Sequence, residues 1–302
     1  VIQEKFVDLF THASRLRDKM VGEREVVLTY ALQILSASGF LDALAFKGGT
    51  CIRKIHLGLS GRFSMDLDFT ALIRKKPDDF VLDMMEALNR EFHGIAFSLE
   101  EGWRITQEGR SFAVTPEYSH AWNQNGAFDI QVSLRESPIL PVRPAPQIEQ
   151  QYHRYLEFRA DDIPCLDVHE VIAEKIRAAY QRARVRDVFD LFLFSRRPFD
   201  KELVRALTVL KLWQVRDVFE PEVFLERLRK GEYDWHDLSR LVAFDSHVDH
   251  RTILQGCLEG FTFLRDLSSE EALVAQDARR HGQKARRDAL ASWCLREVSE
   301  RH

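Results

Sequence analysis

The stretch AFKGGTCIRKIHLGLSGRFSMDLDFT, residues 45–70, decides how the rest of the chain is read. It opens on an apolar run ending in the pair Gly48–Gly49. A basic, helix-like segment and a loop rich in Gly and Ser follow, and the stretch closes on Asp66–Leu67–Asp68 within an extended apolar pattern. Side chains two apart on a β-strand share a face, so Asp66 and Asp68 point the same way, roughly 6.6 Å apart along the backbone. Carboxylates that close repel unless a cation lies between them. The hard cation suited to oxygen ligands and nucleotide phosphates is Mg2+. Glycines let the backbone approach an anion, and the helix N-terminus that follows offers N–H groups to phosphate. These features together imply a site for a metal and a nucleoside triphosphate.

Working outward, Leu44–Ala45–Phe46 reads as a short buried strand and residues 50–57 as a helix. Arg53 and Lys54 on that helix either face phosphate or are solvated surface charges. Arg62 and Ser64, just before the acidic pair, are placed to bind a triphosphate, and Ser64 equally to cap or tighten the turn. Upstream, Ile2, Phe6, Leu9 and Phe10 fall at helical spacing. A second segment after Gly22, with Val26, Val27, Tyr30, Ala31 and Ile34, ends near Gly39, so two amphipathic helices are expected to cover a sheet. Downstream, Pro77 followed by Asp78 and Asp79 opens a helix expected to run to about Phe92, closed by Gly94. Three β-rich runs (95–99, 103–107, 111–118) and a polar loop (119–126) come next. Residues 127–134 then alternate, with Phe128, Ile130 and Val132 on one face and Asp129, Gln131 and Ser133 on the other. Asp129 is therefore either a third carboxylate beside Asp66 and Asp68 or an edge-strand charge facing water.

Residues 137–149 hold Pro138, Pro141, Pro144 and Pro146 and read as a stiff connection, the expected domain boundary. A last strand is expected at 155–158. Residues 1–160 would then form an α+β core and residues 161–302 a helical domain. Asp167 is expected to cap a helix, with Glu170 completing a capping box. That helix packs Val168, Val171, Ile172, Ile176 and Ala179. Lys175 lies at the edge of the stripe, where a buried stem lets the ammonium reach into a cleft. The stretch is basic, adding Arg177, Arg182, Arg184 and Arg186. The next helix, through Val188, Phe189, Leu191, Phe192, Leu193 and Phe194, is apolar nearly all round and should be buried. Asp187 and Asp190 on it need partners, and Lys175 and the arginines can supply them, either as a structural ion-pair network or as the floor of an active site. From Pro198 the chain reads as helices only: 201–212, 221–230, 236–241, 251–264 and 270–301. Arg279, Arg280, Lys284, Arg286 and Arg287 form a basic window that suits an RNA backbone or is simply solvated helix surface.

The chain has 302 residues, 45% apolar and 30% charged, which describes a globular protein large enough for two structural units. With a net charge of −4 there is no overall basic field, so any nucleic-acid surface must be local. Cys51, Cys165, Cys257 and Cys294 form no CxxC pair and read as reduced, buried thiols of a cytosolic protein, not as staples or zinc ligands. The histidines, among them His120, His236, His247 and His250, show no ligand spacing. No apolar run approaches a membrane span and no leader precedes the first helix. A start on Val1 instead of Met implies native residues upstream.

KGGT (47–50) followed by RFSMDLDF (62–69) resembles the nucleotidyltransferase-like toxins of the AbiEii family, part of the DNA polymerase β-type superfamily. The resemblance extends to FDIQVSL (128–134), HEVIAEKIRAAYQR (169–182) and VRDVFDL (185–191), covering roughly residues 40–195. It implies an α+β fold: a polymerase β-like mixed sheet with flanking helices, followed by a C-terminal helical bundle contributing Lys175 and Asp187 or Asp190 to the cleft. It further implies a cytoplasmic, Mg2+-dependent toxin that transfers NMP from NTP to an RNA acceptor, the 3′ end of tRNA, with a separate antitoxin protein as partner. Under it Lys47, Gly48, Gly49, Thr50, Arg62, Ser64 and Lys175 hold the triphosphate. Asp66, Asp68 and Asp129 hold metal, and the third acid helps deprotonate the attacking hydroxyl. Asp187 or Asp190 orients Lys175 or assists proton transfer. Met65 departs from the acidic or small polar residue expected before Asp66, though it removes no ligand. Transfer to a protein hydroxyl and a non-catalytic NTP-binding regulator are the alternatives.

Overall fold

The computed structural model describes residues 2–106, 108–243 and 249–300. The expectations that reach Gln107, His247 and Arg301 lie outside the described residues. The chain divides into two compact units. Unit 1 is Val1–Ser137, Val142–Cys165 and Ser239–Ser246; unit 2 is Pro138–Pro141, Leu166–Leu238 and His247–His302.

Unit 1 begins with helices α1 (Glu4–Ala13) and α2 (Lys19–Ala37). Gly22 does not separate two helical segments, as the sequence suggests, but lies inside α2. A Cβ there would overlap the Thr11 hydroxyl, so the glycine lets α1 and α2 touch. The α2 helix is buried nearly all round and carries two buried carboxylates, Glu23 and Glu25. Strand β1 (Leu44–Lys47) runs directly into α3 (Gly48–Cys51), which widens into a π-helical turn over Ile52–Leu57. Strand β2 (Asp66–Ala71) and helix α4 (Pro77–Leu88) follow.

The α4 helix stops short of Phe92. Asn89 leaves helical geometry and its side chain accepts from the Leu99 amide at 2.6 Å, turning Arg90–Phe92 into strand β3. His93 and Gly94, both at positive φ, form the turn into β4 (Ile95–Ser98). Strands β5 (Trp103–Ile105), β6 (Ser111–Val114), β7 (Glu117–His120), β8 (Asn123–Ala127) and β9 (Asp129–Ser133) come next. The expected run 111–118 is split at Pro116, because proline has no N–H to extend the ladder, and the expected loop is largely a β7–β8 hairpin. Within the proline-rich segment Arg143–Ala145 is strand β10, and β11 is Ile163–Cys165. Residues expected to form a strand at 155–158 do not: Gln151–Tyr155 is a 3-10 turn whose Tyr155 stacks on Phe6 at 4.0 Å.

Among the described residues a seven-stranded mixed sheet has the order β10-β11-β1-β2-β9-β6-β5, and a four-stranded antiparallel sheet the order β3-β4-β7-β8. The central pair β2 and β9 is parallel, with Asp66 opposite Asp129 and Asp68 opposite Gln131. Leu67, Phe69, Ile130 and Val132 face the core shared with α2 and α4, leaving the acidic positions at intermediate exposure on the other face.

Unit 2 is helical: α5 (Val168–Gln181), α6 (Val185–Ser195), α7 (Lys201–Gln214), α8 (Pro221–Lys230), a short α9 (His236–Ser239), α10 (His250–Phe261), α11 (Ser269–Asp277) and α12 (Lys284–Ser299). The α6 helix is buried on nearly every side, as its composition requires. The expected single helix over 270–301 is two. Asp277 accepts from the Gln283 amide at 2.6 Å across a turn in which His281 adopts positive φ and stacks on Trp213 at 3.7 Å.

Candidate active site

The sequence motif around Gly48 closes on itself in three dimensions. Gly48 has φ +76°, and a Cβ on it would overlap the Asp68 carboxylate. A Cβ on Gly49 would lie 2.7 Å from the Ser64 hydroxyl and 2.8 Å from the Arg62 guanidinium. A side chain at Gly48 is excluded by conformation and space, and one at Gly49 would displace the Ser64 hydroxyl and the Arg62 guanidinium. The Thr50 hydroxyl donates to the Asp66 carbonyl, tying the start of α3 to the start of β2. Lys47 stands opposite Asp68 across the β1–β2 ladder. The turn read from sequence as a phosphate cradle thus packs directly against the acidic strand.

Each of two carboxylates is oriented by a hydroxyl. Ser64 donates to Asp66 Oδ1 at 2.8 Å, and Thr115 donates to Asp129 Oδ1 at 2.7 Å. Ser64 therefore positions an acid instead of capping the turn, while buried Arg62 donates to the Phe63 carbonyl at 3.1 Å. Thr115 is invisible in the sequence because a hydroxyl one strand away leaves no spacing signal. Met65, the departure from the expected pattern, packs its side chain against the core. Asp66, Asp68 and Asp129 present carboxylate oxygens on one face, the donor type a hard divalent cation prefers. Their oxygens are not drawn into a three-donor cluster within 4.8 Å, as the side chains of Cys51, His56 and Cys165 are.

Arg53 and Lys54 neither face a phosphate nor lie on a solvated surface. Both are 1% exposed and turned toward α2. Lys54 Nζ donates to Glu25 Oε1 at 3.0 Å, to the Thr29 hydroxyl at 2.8 Å and to the Tyr152 hydroxyl at 2.9 Å; Arg53 Nε lies 3.5 Å from Glu25 Oε1. Burial works against both charges. The Glu25 carboxylate nevertheless raises the Lys54 ammonium, and Lys54 with Arg53 lowers the Glu25 carboxyl. The sequence misses this because Glu25 is on a helix that looks amphipathic but is buried all round.

In unit 2, Lys175 donates to Asp187 Oδ1 at 2.9 Å and lies 2.8 Å from Asp190 Oδ2; Arg182 Nε adds a bond to Asp187 Oδ2 at 2.9 Å. Burial pushes the Asp187 carboxyl up, but Lys175 and Arg182 outweigh it and hold it well below the usual carboxylate range. Asp167 caps α5 through the His169 amide, but Glu170 does not close a capping box. Its carboxylate accepts from the Ile139 and Leu140 amides at 2.9 and 2.8 Å and pairs with buried Lys211 at 2.6 Å. Of the basic window, Arg286 pairs with Glu270 at 2.9 Å and Arg287 lies over the Trp213 ring at 4.6 Å, while Arg279, Arg280 and Lys284 are exposed.

Residues 30–289 match the model of the nucleotidyl transferase AbiEii toxin family of type IV toxin–antitoxin systems. Among solved structures the chain is similar to MenT4, a nucleotidyltransferase toxin from Mycobacterium tuberculosis H37Rv. The TM-score is 0.81 at 24% identity, over 98% of this chain and 100% of that one. No curated protein matches the sequence. Among the described residues no helix is long and apolar enough to cross a membrane.

Proposed function

This chain belongs to the AbiEii nucleotidyl transferase toxin family, and on that premise we propose that it moves NMP from an NTP onto an RNA hydroxyl, at the 3′ end of tRNA, to block translation. The observation that carries the site assignment is the parallel register of Asp66 with Asp129, with Asp68 two residues on and packed under Gly48. Asp66, Asp68 and Asp129 would hold Mg2+, which when bound offsets phosphate charge and favours attack and departure of oxygens at phosphorus. The chain's own residues do the rest. Thr115 occupies one oxygen of Asp129, leaving the other to take the proton of the acceptor hydroxyl. That hydroxyl oxygen bonds to the α-phosphorus, the bond from the α-phosphorus to the bridging oxygen breaks, and pyrophosphate leaves. The Gly48–Gly49–Thr50 turn, bare of side chains at its first two positions, lets the backbone reach the triphosphate, with the Arg62 charge beside Gly49. An antitoxin protein is the partner that would restrain this activity, and the cytoplasm the place where NTP and tRNA meet it.

The test is incubation with total RNA and, in turn, each NTP labelled at the α-phosphate. Label in an RNA band the size of tRNA, from one NTP above the others, is expected. Label confined to protein would move the acceptor to a protein hydroxyl. Label in neither, with pyrophosphate unreleased, would remove the transfer reading.

A further inference from the structure

We propose that Cys51, His56 and Cys165 form a zinc site that fastens the segment behind the Gly48–Gly49 turn to strand β11. One ligand atom from each of the three lies within 4.8 Å of the others, the one such trio of His, Cys, Asp and Glu donors among the described residues. All three belong to unit 1: Cys51 ends α3, His56 is in the π-helical turn that continues it, and Cys165 ends β11, which pairs with β1.

A backbone irregularity supports this independently. In an α-helix, residues five apart diverge by about 140° around the axis, which would point His56 away from Cys51. The π-helical turn over Ile52–Leu57 makes residues five apart neighbours along the axis instead, and such turns concentrate at functional sites. The widened turn thus aligns a thiol and an imidazole that a regular helix would separate.

Distance and chemistry select the ion. Tetrahedral zinc, with bonds of about 2.3 Å to sulfur and about 2.0 Å to nitrogen, sets S···S at about 3.8 Å and S···N at about 3.5 Å. The trio needs to close by only about 1 Å to meet these values. Two sulfurs and one imidazole suit zinc and disfavour Mg2+, so this ion and the one proposed at the aspartates do not compete. Cys51 and Cys165 are buried and His56 is partly exposed, and three protein ligands leave the fourth tetrahedral position open. Cys165 Sγ lies 3.8 Å from the Arg143 carbonyl, to which its S–H points. Binding releases two thiol protons: Zn2+ and two S–H groups give two zinc–thiolate bonds and two H+, with no change of oxidation state.

The full chain, stripped with chelator and kept reduced, should bind one equivalent of zinc in the absence of any NTP. Co2+ in its place should give an intense thiolate charge-transfer band, and zinc should raise the melting midpoint. C51S, C165S and H56A should each lose the equivalent or bind at least tenfold more weakly, while C257S, whose thiol is buried in unit 2, should keep it. A wild-type chain without thiolate–cobalt absorption overturns the proposal, and that readout needs no variant to fold. Undiminished zinc in C51S and C165S also overturns it, as does a Cys51–Cys165 disulfide that resists reduction. None of these readouts depends on nucleotidyl transfer, so the proposed reaction and the zinc site can fail separately.

Discussion

The carboxylates of β2 and β9 and those of α6 have opposite surroundings. Asp66 and Asp129 are at intermediate exposure, each steadied by one hydroxyl, on strands whose other face forms the core. Asp187 and Asp190 are 2% and 1% exposed and share one ammonium, with a guanidinium added on Asp187. A hydroxyl orients a carboxylate without neutralising it, whereas a buried lysine both orients and neutralises. On the proposed reading, the first arrangement would keep negative charge for an incoming cation, while in the second Lys175 and Arg182 already offset the charge of the buried acids. A similar contrast holds inside unit 1, where Glu25 pairs with Arg53 and Lys54 a few residues from the glycine turn.

The largest effect expected from this contrast is on catalysis. D66N or D68N should reduce nucleotidyl transfer by about a thousandfold, the equivalent of several kcal/mol of lost transition-state stabilisation. The melting midpoint should barely move. A variant that keeps near-wild-type turnover, or one that unfolds, would erase the distinction between the two kinds of carboxylate.

Next in size are the buried networks. K175M removes the ammonium that two buried acids share in unit 2, and E25Q removes the carboxylate charge that two buried cations share in unit 1, each expected to cost about 3–5 kcal/mol in chemical denaturation. Calorimetry on K175M then sharpens the assignment. Unchanged NTP affinity in the folded variant leaves Lys175 as a structural residue, and weakened affinity restores the triphosphate role implied by the resemblance.

Acid should separate the networks more gently. Burial, reinforced by the Lys54 charge, lowers His153 in unit 1 from 6.5 to about 4. The unfolded chain therefore binds a proton that the folded chain refuses across that interval, and stability falls as pH drops from about 6.5 towards 4. Asp187, lowered in the folded state, contributes full stability above the ordinary carboxylate pKa of about 4 and loses it only as pH falls further. Urea midpoints across pH should show the first decline in wild type and not in H153N.

The smallest effect belongs to the surface. R279E/R280E should weaken RNA binding and lower its log–log salt slope by roughly 0.7–0.9 for each phosphate the protein no longer neutralises, with NTP binding unchanged. Identical slopes would return these arginines to ordinary helix surface.

What the sequence determined by itself was local and periodic. Alternation placed Asp66 and Asp68 on one strand face and Asp129 on the polar face of another, and the all-round apolar run of α6 required its acids to be paired. The glycine pair marked a turn without side chains. What only the tertiary structure decided were the partners. Asp66 meets Asp129 through strand register, Ser64 and Thr115 turn out to be the hydroxyls on the acids, and Arg53 and Lys54 are claimed by Glu25 of an earlier helix. Glu170 is taken from its capping box by the Ile139 and Leu140 amides and Lys211, and Cys165 is brought to Cys51 and His56 by strand pairing and a π-helical turn. The reason is physical: periodicity follows from the backbone geometry of a few neighbouring residues. The choice of partner for a charge or a thiol depends on which distant group the packed core brings within about 3 Å, and no spacing along the chain encodes that distance.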